Sequence, residues 1–137
     1  MAVDQKSKYL GFDLTNPLVA SPSPMTGKLE NLQRLEDAGI AAVVLPSLFE
    51  EQIEHDERQL DALGEALDYF PPLSGYNTGT DTYLELIRDA KEKLSIPVIG
   101  SLNGTTPGGW LRYAKMIQDA GADTLELNIY LIAADPH

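Results

Sequence analysis

The sequence predicts an α/β fold in which parallel strands alternate with helices. Three observations lead there. Apolar runs of strand length alternate with stretches of helical spacing, one run is apolar on both faces, and two helix-to-strand joints are nearly the same string. Leu35-Glu-Asp-Ala-Gly39, then Ile40-Ala-Ala-Val-Val-Leu45, parallels Ile117-Gln-Asp-Ala-Gly121, then Ala122-Asp-Thr-Leu-Glu-Leu127. In each joint the glycine supplies the left-handed backbone that ends a helix. Repetition of such a joint implies right-handed βαβ units.

Taken in order, Tyr9–Leu14 reads as a short strand, and Asn16-Pro17 as a turn leading into Pro17–Ala20. Ser21-Pro-Ser-Pro24 cannot continue a ladder, because proline lacks the amide donor. From Lys28, the residues Leu29, Leu32, Leu35 and Ala38 have helical spacing, and Gly39 is a natural stop. Ala41–Leu45 has the pattern of a parallel strand covered on both sides. Asp81 is the expected N-cap of a helix through Leu84, Ile87, Ala90 and Leu94, with a strand at Ile96–Ile99 after it. Thr106-Pro107 has the form of an N-cap with proline at the first helical position. That helix runs through Leu111, Ala114 and Ile117 to Gly121, and Thr124–Ile129 returns as a strand.

A complete (β/α)8 barrel needs roughly 250 residues, and this chain has 137. The expectation is one partial domain over residues 1–137, the N-terminal half of a TIM (β/α)8 barrel with about four βα units. A doubly wound open sheet satisfies the same periodicity. The stretch from 47 to 80 is a long excursion after the second strand, where barrel loops usually have about 2–6 residues. Ile53, Leu60, Leu63 and Leu67 predict an amphipathic helix on it, broken at Phe70-Pro-Pro, and the excursion has the size of a lid or substrate loop.

Composition bounds the function. Hydrophobic residues make up 43% of the chain, which is globular, and the formal net charge of −11 disfavours nucleic acid and anionic membranes as partners. No run of about 18 apolar residues is present to span a membrane, and Met1–Lys8 lacks the apolar core of a secretory signal. The expected location is the cytoplasm. The absence of cysteine excludes disulfides, a thiolate nucleophile and cysteine metal ligands. Glu50–Asp68 is strongly acidic, with Arg58 its single Lys or Arg; it reads as a solvated helix face or as a cation-binding patch. His55, four residues after Glu51, has the spacing of a metal pair, but a lone histidine on an acidic helix is ordinarily no ligand, and no metal is expected. His137 is the last residue.

The residues that carry chemistry are polar groups at strand ends, where barrels bind ligands. They are Ser21, Ser47, Ser101, Asn103 and Asn128, joined by Asn77 from the long excursion. Such an uncharged set suits a planar heterocycle with amide-like edges, since each amide offers both a donor and an acceptor. Serine and asparagine also end strands for purely local reasons. Asn103-Gly-Thr-Thr-Pro-Gly-Gly109 follows a strand and opens a helix, so it reads either as a plain turn and cap or as an anion-facing loop without lysine.

Four strings carry a resemblance to a known family: Tyr9-Leu-Gly-Phe-Asp-Leu-Thr-Asn-Pro-Leu-Val-Ala-Ser21, Leu35-Glu-Asp-Ala-Gly39, Val44-Leu-Pro-Ser-Leu-Phe-Glu-Glu-Gln-Ile53 and Glu126-Leu-Asn-Ile129. In order and spacing they resemble the dihydroorotate dehydrogenase family, and most closely its bacterial dihydroorotate dehydrogenase-like branch, over the N-terminal half of the family's domain. The resemblance implies an FMN-linked barrel that transfers hydride from a small cyclic substrate to flavin, in pyrimidine biosynthesis. It implies flavin contacts from Ala20, Ser21, Ser47 and Asn128, and substrate contacts from Asn77 and Asn128. Two positions depart from the pattern. Pro46 stands where the family has a flavin-contacting lysine, and Leu131 stands where it has the cysteine or serine that removes a proton; leucine is no base. The catalytic base is therefore unassigned. FMN should bind weakly or not at all to this chain alone, because the family's phosphate loops belong to later strands. The alternative is a catalytically inactive half-barrel that binds or assembles as a homodimer; the partner expectations are a homo-oligomer or a complementary C-terminal half.

Overall fold

The computed structural model describes residues 3–49, 79–104 and 109–129. The predicted helix over Ile53–Leu67, the acidic stretch 50–68, His55, Asn77, Thr106-Pro107, Leu131 and His137 lie outside the described residues. The elements are β1 (Ser7–Tyr9), β2 (Phe12–Leu14), β3 (Val19–Ala20), a 3-10 turn (Pro24–Gly27), α1 (Leu29–Asp37), β4 (Ala42–Phe49), α2 (Thr80–Lys93), β5 (Val98–Gly104), α3 (Gly109–Asp119) and β6 (Thr124–Ile129). β3, β4, β5 and β6 form one four-stranded parallel sheet in that order.

The segment expected as a single strand, Tyr9–Leu14, is instead the turn and second arm of a hairpin. β1 and β2 pair antiparallel, with Tyr9 opposite Phe12. Leu10 and Gly11 both take positive φ, 49° and 85°, which is what a two-residue type I′ turn demands. Leucine at a positive φ gives no sequence signal for such a turn. The hairpin packs on the N-terminal end of the sheet, where Leu14 and Phe12 meet Val19, Ala41 and Ala42. Asn16 ties this end together. Its Oδ1 accepts the Leu18 amide at 2.9 Å, and its Nδ2 donates to the Gly39 carbonyl at 2.9 Å.

The repeated joint forms the same motif twice. Gly39 and Gly121 take φ of 92° and 104°. At the first, Gly39 N–H donates to the Glu36 carbonyl and Ile40 N–H to that of Leu35; at the second, Gly121 donates to Gln118 and Ala122 to Ile117. Both are Schellman closures, which satisfy the helix-end carbonyls and aim the chain at the next strand.

Three element boundaries differ from expectation. α2 is capped by Gly79 rather than by Asp81, since the Gly79 carbonyl already accepts the Tyr83 amide. Asp81 sits inside the first turn, where its charge faces the positive end of the helix dipole. β5 begins at Val98, after Pro97, and continues to Gly104 rather than stopping at Ile99. It passes through Gly100 because α3 lies directly on it: a Cβ there would come within 2.5 Å of the Ile117 side chain. β4 continues past Leu45 to Phe49, through Pro46. A bulge absorbs the proline. Val44 pairs with Ile99 but Ser47 pairs with Ser101, so β4 spends three steps where β5 spends two.

The three helices among the described residues lie on one face of the sheet. α1 packs beside α2 and α2 beside α3. Leu32, Tyr83, Leu84, Ile87, Tyr113 and Ile117 from the helices meet Val43, Leu45, Leu48, Val98 and Leu102 from the strands. A doubly wound sheet divides its helices between two faces, and among the described residues that division is not seen. Strand alternation sends Val44, Ile99, Ser101, Glu126 and Asn128 to the opposite face. Among the described residues no helix is long and apolar enough to cross a membrane.

Candidate functional site

The opposite face changes character along its length. Near the strand starts it is apolar, with Val44 beside Ile99. Toward the C-terminal ends of β4, β5 and β6 it becomes polar, and the hydroxyl of Ser101, fully buried, is the hub. Ser101 Oγ lies 2.8 Å from Ser47 Oγ and donates to Glu126 Oε1 at 2.8 Å. The Asn128 amide donates to Glu126 Oε1 at 3.1 Å and approaches Ser101 Oγ at 3.4 Å. Three strands thus contribute to one connected network, which the register places side by side: Ser47 opposite Ser101, and Ser101 opposite Glu126.

The bulge at Pro46 shapes this site. Carrying the Val44–Ile99 register on by two residues would set Pro46, which has no amide hydrogen, opposite Ser101. The chain sets Ser47 there instead, and the Ser101 backbone turns to Tyr83 of α2. The Tyr83 hydroxyl accepts the Ser101 amide at 2.9 Å and donates to the Ser101 carbonyl at 3.3 Å. Burial keeps the Tyr83 phenol protonated well above its usual range, with the Glu126 charge adding to the effect and the Ser101 backbone bond opposing it. Tyr83 is accordingly a neutral structural bridge.

Of the residues singled out in the sequence, Ser47, Ser101 and Asn128 come together. Asn103 is two residues beyond Ser101, opposite Asn128, and its Oδ1 is buried without a hydrogen-bond partner among the described residues. Ala20 packs against the main core from the end of β3, and Ser21 is exposed just after it. Glu126 and Tyr83 hold the network and are not among the candidate site residues the sequence offers. Glu126 had a signal: Thr124, Glu126 and Asn128 alternate with Leu125 and Leu127, which marks a polar strand face. Two shallow depressions flank the hairpin, walled by Lys6, Ser7, Asp13 and Asn16, and hold none of the cluster residues.

No protein-family model matches the chain. Two known proteins are similar to it. The catalytic subunit of dihydroorotate dehydrogenase B (NAD(+)) of Thermoplasma acidophilum is 29% identical over 127 residues, which cover 92% of this chain and 41% of that protein. A candidate dihydroorotate dehydrogenase A (fumarate) of Aeropyrum pernix is 36% identical over 53 residues, 39% of this chain and 17% of that protein. The chain is thus similar to dihydroorotate dehydrogenases. It spans less than half the length of the curated relatives it matches. The first similarity runs through nearly the whole of this chain.

Proposed function

We propose that the chain is the N-terminal half of an FMN-linked (β/α)8 barrel, and that it contributes the ring-facing side of a dihydroorotate dehydrogenase-like oxidoreductase. The observation that carries this reading is the Ser47–Ser101–Glu126–Asn128 network at the C-terminal ends of three parallel strands, where barrels of this architecture build their sites. The helices on a single face are those of the outer ring of such a barrel. The residues fit a flavin. Among the described residues Asn103 Oδ1 is a buried acceptor without a donor, which a ring N–H of a flavin would satisfy. Ala20, Ser21, Ser47 and Asn128 would hold the ring, and Asn77 and Asn128 the substrate. A flavin held there would supply the acceptor for a hydride from a ring carbon of the substrate. The chain's own residues orient that ring and keep water from the buried Ser101 hub. By analogy with the relatives, the substrate is a small cyclic compound and the setting pyrimidine biosynthesis.

The test is purification of the protein in its full natural length, followed by an absorbance scan for flavin near about 450 nm and identification of the released cofactor. FMN bound to most of the molecules supports the reading. A colourless protein to which added FMN does not bind overturns it. A second reading, assembly of this chain with another copy, draws on the outer edges of β3 and β6, which have no strand partner among the described residues. Sedimentation of the same sample as a monomer counts against it.

A further inference from the structure

We draw no further inference here: the strongest candidate, the exposed apolar tip of the β1–β2 hairpin, where Tyr9 and Leu10 are open to solvent and Leu10 takes a positive φ, carries nothing because nothing in the structure shows what covers it.

Discussion

Removing the Tyr83 hydroxyl tests the account of the bulge. In Tyr83→Phe the ring still fills its place in the core, where only 2% of Tyr83 is exposed, so little packing is lost. What disappears is the donor and acceptor that serve the Ser101 amide at 2.9 Å and the Ser101 carbonyl at 3.3 Å. A buried amide left unpaired costs about 1–3 kcal/mol, and the carbonyl, which the Leu48–Leu102 pairing keeps within the β4 ladder, adds less. The longer bond contributes toward the lower end, and the lost phenol no longer has to be desolvated. The expected destabilisation is about 1–3 kcal/mol. With a urea slope of about 2 kcal/mol/M for a domain of this size, the unfolding midpoint should fall by about 0.5–1.5 M. Hydrogen exchange adds a local reading: the Ser101 amide should lose protection while the Ile99 amide keeps it. A midpoint shift under about 0.3 M with the Ser101 amide still protected would refute the assignment of Tyr83 as its partner.

Two further outcomes follow from the packing and the charges. Glu36 Oε1 accepts the Ser95 hydroxyl at 2.6 Å and the Ser95 amide at 2.8 Å; the hydroxyl bond, opposed by partial burial and reinforced by backbone bonds at Ser95 and Ile96, holds its carboxyl below the ordinary 4.5. A lowered folded pKa stabilises above the unfolded value and is lost as pH falls through the folded one. Glu36→Ala should thus cost about 1 kcal/mol near neutral pH, and the difference should shrink below about pH 4; a difference that stays constant down to about pH 3 speaks against the Ser95 bonds as its source. Gly100→Ala places a methyl 2.5 Å from Ile117 Cγ2 and should lower stability by about 1–3 kcal/mol through overpacking, readable as a drop in thermal midpoint, with no drop if α3 lies farther from β5 than described.

The helix-to-strand joints were the most legible part of the fold. A Gly at a helix end with the same letters before it reports one backbone geometry, and Gly39 and Gly121 both adopt it. Thr124–Ile129 was read with its final bounds for a related reason: the joint fixes where the strand begins. The hairpin at Leu10-Gly11 was not legible, because its positive φ falls partly on a leucine that no turn rule favours. The ends of β4 and β5 were hidden by prolines and small residues that locally argue for a stop, while the sheet overrides them through a bulge and through the close approach of α3. The site was half visible. Ser47, Ser101 and Asn128 were named from their places near strand ends, but nothing local connects Tyr83 to Ser101 across 18 positions.

That last contact makes the fold behave as a lever with a short arm. Tyr83 lies in the first turn of α2, and its hydroxyl grips β5 at the residue whose side chain orients Glu126 and Asn128. Any displacement of the start of α2 by the length of a hydrogen bond must either break the grip or drag the hub with it. The alignment of three side chains on one face of the sheet is thereby held from the other face, through the sheet itself.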